Sequence, residues 1–128
     1  MSISRRQLLA GASGLLAGLL VGCRRHGRSR EHVAELAREL GLDELAPRLG
    51  SQYLDAHPEE ASAEALLERL VPGGETADVR SLRQALAARI EGDFAAVELV
   101  ELEGWVLSRT EGQLLALVTL LEHESDGG

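Results

Sequence analysis

The chain has 128 residues, enough for one small domain, and contains one Trp, one Tyr and one Phe. This shortage of aromatic rings disfavours a stacking surface for single-stranded nucleic acid. All 13 basic residues are arginine, which excludes a catalytic or phosphate-binding lysine, and the single cysteine excludes a disulfide within the chain or a multi-cysteine metal site. Residues 31–128 carry seven arginines against 21 acidic residues, and this acidic body disfavours binding to nucleic acid.

The first predicted element is an export signal, residues 1–22. It contains the segment Ser4–Leu9, which resembles the core of twin-arginine translocase signals, with Arg5 and Arg6 as the paired arginines. The uncharged run from Leu8 to Val21 would span only ~21 Å as a helix, short of the ~30 Å hydrocarbon core of a bilayer. The pattern therefore indicates a signal peptide rather than a transmembrane helix, and predicts an exported, periplasmic or extracytoplasmic protein.

The signal ends in Leu20-Val21-Gly22-Cys23, which resembles the lipobox of bacterial lipoproteins. In that interpretation Cys23 is lipidated and anchors the protein to a membrane; an ordinary cleavable signal that ends beside a cysteine is the alternative. Residues 23–30 contain four arginines and no acid, and are predicted to be a flexible basic tether close to anionic headgroups.

Residues 31–128 are predicted to form one helical domain. Apolar residues from Val33 to Leu40 follow helical spacing, and Gly41 is a plausible stop. A second helix is predicted around Leu45–Leu54 and ends before Pro58, and Ser62 caps a third, short helix.

The clearest predicted helix begins at Thr76 or Asp78, places Val79, Leu82, Leu86 and Ile90 on one face, and ends at Gly92. Phe94 is expected to fold back onto the core. Residues 95–107 alternate irregularly, which favours an extended segment, with a helix as the competitor. The predicted fold is thus all-α, a small bundle of about five helices with one short extended segment before the last helix.

The last helix begins with a good capping box, in which Ser108 is the N-cap and Glu111 occupies N3. Immediately before it, Gly104 permits a tight turn and Trp105 provides the largest apolar side chain of the chain. Trp105 is either a core anchor or, together with Gly104 and Arg109, part of a surface that docks a partner, because Trp and Arg are favoured interface anchors.

The sequence offers no catalytic, cofactor-binding or metal-ligating set of residues. Acidic pairs such as Glu59-Glu60 have no adjacent histidine and no calcium-loop spacing, so they are interpreted as a solvated face. We therefore predict that the chain is not an enzyme and has no cofactor of its own.

One stretch of the sequence resembles a known family. Asp93-Phe94, the run Gly104-Trp105-Val106-Leu107-Ser108, Thr110-Glu111 and Ala116-Leu117 are similar to the small subunit of membrane-bound FAD-dependent sugar and polyol dehydrogenases, such as sorbitol and fructose dehydrogenases, and to the gluconate dehydrogenase small subunit. Members of that family carry a twin-arginine signal before a small helical body. The lipobox departs from the family pattern.

The resemblance implies an accessory role. The small subunit would escort the catalytic subunit, which holds FAD, through the twin-arginine translocase, and would stabilise and help to anchor it, while a c-type cytochrome subunit takes the electrons onward. The alternative is a free-standing exported helical lipoprotein that acts as a structural or binding module for another exported protein.

Overall fold

The structure, a computed structural model, describes residues 15–72 and 78–127, with side chains placed within 28–72 and 78–125. In chain order its regular elements are α1 (Leu15–Leu40), α2 (Leu42–Leu45), α3 (Ser51–Ala56), α4 (Ala63–Leu70), α5 (Val79–Ala95), β1 (Leu99–Leu102), β2 (Trp105–Ser108) and α6 (Arg109–Gly127). A single π turn (Ala46–Gly50) joins α2 to α3, and a 3₁₀ turn (Pro58–Glu60) follows α3.

Helix α6 is the central element, because it contacts the π turn, both strands and each of the other helices in the described part of the chain. Its residues Leu114 to Val118 are buried one after another rather than on a single stripe. A helix that is apolar all round in this way must be surrounded by other elements, which explains how so short a chain builds one core.

Helix α1 packs on this core through Val33, Leu36 and Ala37 and ends at Gly41, whose φ of 71° is the left-handed conformation common after a helix. Its backbone is continuous across the predicted boundary at residue 30. Ser29 is buried, and the Arg30 guanidinium pairs with Glu124 of α6. The packed body therefore includes the last two residues of the segment predicted to be a flexible tether.

The π turn is held against α6 by a close backbone approach. The Thr119 hydroxyl donates to the Ala46 carbonyl at 2.5 Å, and a Cβ on Gly50 would collide with the side chain of Thr119 and the backbone of Leu115. Only glycine fits at this position without displacing α6. Gly50 thus serves tight packing, and the chain stays helical through it into α3.

Helices α4 and α5 begin at the side-chain caps that their sequences predict. The Ser62 Oγ accepts from the Ala65 amide at 3.3 Å, and the Asp78 carboxylate accepts from the Ser81 amide at 2.8 Å. The hydrogen bond to Ser81 lowers the pKa of Asp78, so this cap is ionised at neutral pH.

Strands β1 and β2 form an antiparallel hairpin in which Leu102 pairs with Trp105. The two turn residues, Glu103 and Gly104, have φ values of 49° and 83°, as a type I′ turn requires. The hairpin runs directly into the capping box of α6, where the Glu111 amide donates to the Ser108 Oγ at 3.0 Å and the Ser108 amide donates to the Glu111 carboxylate at 2.9 Å.

The predicted fold class is confirmed: the protein is a small, mostly α bundle. If α2, the π turn and α3 are taken as one, the described residues hold five helical segments, and the predicted extended segment is the hairpin. Two details are wrong. Helix α5 continues past Gly92 to Ala95, and Phe94 is 48% exposed instead of folding onto the core.

The predicted signal residues Arg5 and Arg6 lie outside the described residues, as does the side chain of Cys23. Across the described ranges, no helix combines the length and the apolar character that a membrane crossing requires.

Candidate functional site

An apolar groove of about 210 Å³ opens beneath Trp105. It is formed where the end of α1, helix α2, the π turn, α5, strand β2 and the first turns of α6 meet. Its lining residues are Leu40, Leu42, Leu45, Leu49, Ile90, Trp105, Leu107, Glu111, Leu114 and Leu115. Trp105 is 56% exposed, Leu40 50% and Leu45 36%. Large side chains left this exposed around one groove indicate a surface that another molecule can cover.

The hairpin places Trp105 over the groove through simple strand alternation. Trp105 and Leu107 point to the groove face, whereas Val106 points to the opposite face and is 58% exposed. On that outer face Leu99 is also exposed, at 38%. Gly104 fixes the tight turn that begins β2, so the hairpin presents apolar side chains on both of its faces.

Two ion pairs join elements that contribute residues to the groove. Arg83 of α5 pairs with Glu39 of α1 at 2.6 Å, and Arg48 of the π turn pairs with Glu103 of the hairpin turn at 2.9 Å. Because both pairs are solvent-exposed, each contributes little to stability. They do fix which elements flank the opening, since each joins two segments that are distant in the sequence.

A second cavity, about 240 Å³ and polar, lies on another face of α6. Its lining residues are Arg69, Arg89, Asp93, Glu98, Arg109, Thr110 and Gln113. At 100° per residue, Arg109, Thr110 and Gln113 project from a different side of α6 than Glu111, Leu114 and Leu115 of the groove. The two cavities therefore share a helix but not a surface.

Two lining residues of this polar cleft, Arg109 and Gln113, hydrogen-bond to the buried carboxylate of Glu60, which is 2% exposed. It accepts hydrogen bonds from the Tyr53 hydroxyl at 3.0 and 3.1 Å, from the Gln113 amide at 2.7 Å and from the Arg109 guanidinium at 3.2 Å. The Arg69 guanidinium is 4.0 Å away. The group thus ties α3, the 3₁₀ turn and α6 together, and both of its oxygens are occupied.

The charges in this network settle its protonation states. Burial alone would raise the pKa of Glu60, but the hydrogen bonds from Gln113 and Tyr53 and the positive charges of Arg109 and Arg69 lower it below its usual value. Burial and the bond to Glu60 raise the pKa of Tyr53 to about 12. At neutral pH the carboxylate is ionised and the phenol is neutral, so the network is a fully satisfied structural element.

The side chains predicted to dock a partner are divided between the two cavities. Trp105 lines the groove and Gly104 lies in the turn directly before it, whereas Arg109 lines the polar cleft and pairs with Glu60. Burial of Glu60 also corrects the interpretation of Glu59-Glu60 as a solvated face, since only Glu59 is exposed.

The network around Glu60 was missed by sequence reasoning, although one signal for it was present. Gln113 directly precedes the apolar run of α6, and a buried amide there needs a polar partner from elsewhere in the chain. The histidine beside the 3₁₀ turn has a structural role, because the ring of His57 stacks on Tyr53 with centroids 4.2 Å apart.

In the part of the chain that the structure describes, no group of three or more His, Cys, Asp or Glu side chains is placed to hold a metal ion. A scan against models of protein families, a search of curated proteins and a search of solved structures found no match to this chain.

Proposed function

We propose that this protein is a non-catalytic accessory subunit that escorts an FAD-dependent sugar or polyol dehydrogenase through the twin-arginine pathway, stabilises it and helps to anchor it. The observation that carries the proposal is the open apolar groove under Trp105. The sequence around that groove, Gly104-Trp105-Val106-Leu107-Ser108 with Thr110-Glu111, is also the part that resembles the dehydrogenase small subunits.

The energetics of the surface support a docking role. A tryptophan that is 56% exposed at the edge of an apolar groove is placed to become fully buried on association, and tryptophan is among the residues that dominate binding energy at interfaces. The groove is the better candidate than the region around Glu60, because both carboxylate oxygens of Glu60 already accept hydrogen bonds within the chain.

A strained and exposed residue stands immediately before the hairpin. Val97, which precedes β1, has a φ of 57° and is 73% exposed. This conformation costs a β-branched residue ~1–2 kcal/mol, and Asn or Gly would avoid most of that cost. An exposed, strained valine is unfavourable in the isolated chain, whereas a partner that buries it gains apolar contact.

The test is co-purification of the full-length, tagged chain from the organism that encodes it, under mild detergent, with flavin absorbance measured in the eluate. We expect a flavoprotein to accompany the wild-type chain. Trp105→Ala should reduce the bound flavin at least about tenfold while changing the free energy of unfolding by less than ~1 kcal/mol, because the ring is largely exposed.

Gln52→Ala, an exposed substitution on α3 outside both cavities, is the matched control and should leave the flavin content unchanged. Absence of any flavoprotein from the wild-type eluate contradicts the proposed function. Co-purification of a different exported protein through Trp105 would support a binding module for that protein instead.

A further inference from the structure

We infer that the groove under Trp105 accepts a basic amphipathic helix of the partner protein, with leucine-like side chains on one face and Lys or Arg on its flanks. The inference rests on the proposed function, because it assigns the chemistry of the partner at the same surface. It is carried by the unpaired charge around the groove and by the shape of its lining.

The unpaired charge beside the groove is negative. Glu44 and Glu91 follow or precede lining residues directly in the sequence, are exposed, and form no ion pair with any described residue. Glu111 lies in the lining itself and accepts only the Ser108 amide. These carboxylates have no cationic neighbour of their own, so a basic partner can supply one.

Arg48 and Arg83 do not offset the charge of these carboxylates. Arg48 is paired with Glu103 and Arg83 with Glu39, so each already neutralises another acid. An acidic partner would meet only repulsion from Glu44 and Glu91, and it would have to break one of these pairs to gain a favourable contact.

The lining is suited to a helix. Apart from Glu111, the side chains that form it are aliphatic or aromatic, and they come from α1, α2, the π turn, α5, β2 and α6. Amphipathic helices bind such grooves through apolar residues at i, i+3, i+4 and i+7, and the flanking positions of the helix then face the edges. Positive charges at those positions would approach Glu44 and Glu91.

A second copy of this chain is a poor occupant. The sequence carries a net charge of −8, and the described body holds most of its acidic residues. Two such grooves brought together would place their unpaired carboxylates against each other. An anionic lipid surface is disfavoured for the same reason.

The experiment uses the full-length protein in mild detergent and a 14-residue amphipathic helical peptide made of Leu and Lys. A Leu–Glu peptide of the same pattern is the matched control. Trp105 is the only tryptophan of the chain, so its fluorescence reports directly on the groove. We expect a saturable blue shift with the Leu–Lys peptide that weakens with added salt, and no shift with the Leu–Glu peptide.

Charge variants test whether peptide binding depends on the acidic residues beside the groove. The double substitution Glu44→Gln, Glu91→Gln should weaken the Leu–Lys peptide roughly fivefold and flatten its salt dependence, because two rim charges are removed. Glu59→Gln, Glu64→Gln makes the same charge change at exposed positions away from the groove and should alter neither value. Equal binding of both peptides, or equal effects of the two double variants, overturns the inference.

Other occupants give different results, and each would overturn it. A blue shift that rises with protein concentration alone, together with dimers in sedimentation, would assign the groove to a second copy. A blue shift with phosphatidylcholine vesicles but not with the Leu–Lys peptide would assign it to lipid. Failure of the inference can be distinguished from failure of the proposed function. If flavoprotein capture requires Trp105 but does not depend on Glu44, Glu91 or salt, the basic helix is overturned and the proposed function stands.

Discussion

The two cavities beside the hairpin differ in how far the chain satisfies its own side chains. Beside the polar cleft, Glu60 receives hydrogen bonds from Tyr53, Gln113 and Arg109, so both of its carboxylate oxygens are satisfied within the chain. In the groove, Trp105 and Leu40 remain about half exposed. On one side of α6, contacts within the chain satisfy the polar side chains around Glu60, whereas on the other side apolar side chains stay exposed. The first side stabilises the fold, and the second is available for binding.

The largest effect should come from the packed core, at Gly50. Gly50→Ala forces a Cβ into Thr119 and the backbone of Leu115, so the π turn or α6 must move. We expect a loss of about 3 kcal/mol in the free energy of unfolding, measured by chemical denaturation. Gly92→Ala, where a Cβ meets nothing within 4 Å, should instead stabilise α5 by ~0.5–1 kcal/mol. An unchanged stability of Gly50→Ala would contradict the described packing.

Glu60→Gln removes the buried charge while keeping the shape of the side chain. It should cost about 2 kcal/mol at pH 7, because the partly exposed Arg109 loses its carboxylate partner. The pKa of Glu60 is lower in the folded state than its ordinary value of 4.5. Its contribution is therefore complete above pH 4.5 and is lost as the pH falls through the lowered pKa.

Denaturation curves of both proteins across this acid range provide the measurement. The difference in stability between wild type and Glu60→Gln should narrow as the solution becomes more acidic. A difference that stays constant would show that the charge of Glu60 is not what stabilises the network.

For Tyr53 we predict a loss of stability at alkaline pH, in contrast to the acid dependence of Glu60. Its pKa of about 12 in the folded protein lies above the ordinary 10.0, so its neutral form stabilises the fold up to pH 10 and this contribution is lost as the pH rises towards 12. The loss should be roughly 2 kcal/mol. Tyr53→Phe keeps the ring that His57 stacks on, and should be less stable at pH 7 but lack this alkaline decline.

Val97→Asn, immediately before the hairpin, should produce the smallest change, a gain in the free energy of unfolding. Asparagine tolerates the φ of 57° better than valine, so the isolated chain should gain about 1 kcal/mol. If the hairpin docks a partner, the same variant should bind its flavoprotein less well. A gain in stability without any loss of binding would remove Val97 from the docking surface.

Local signals in the sequence were sufficient for the helices and their caps. Ser62, Asp78 and the Ser108–Glu111 box lie within a few residues of the groups they bind, so short-range chemistry determines them. Irregular alternation over residues 95–107 indicated extended chain, but the shift in alternation between Leu99 and Val100 lies within β1 and did not reveal the turn at Glu103 and Gly104.

The candidate sites depend on contacts that the sequence does not encode locally. Glu60 is joined to Gln113, 53 residues away, so its burial could not be inferred from its neighbours Pro58 and Glu59. Phe94 is exposed because α5 runs three residues past Gly92, which rotates the ring away from the core. The sequence did not decide whether Trp105 lies in the core or at the surface, because both roles require the same large apolar side chain.

The π turn between α2 and α3 makes this region sensitive to insertion and deletion as well as to substitution at Gly50. Removing one residue from Ala46–Gly50 would let the segment close into an ordinary α-helix, but α3 would rotate by about 100° about the axis relative to the rest of the bundle. Tyr53 would then face away from Glu60. The length of that single turn therefore sets the angular position of α3, so a homologue one residue shorter there would need a different arrangement beneath its polar cleft.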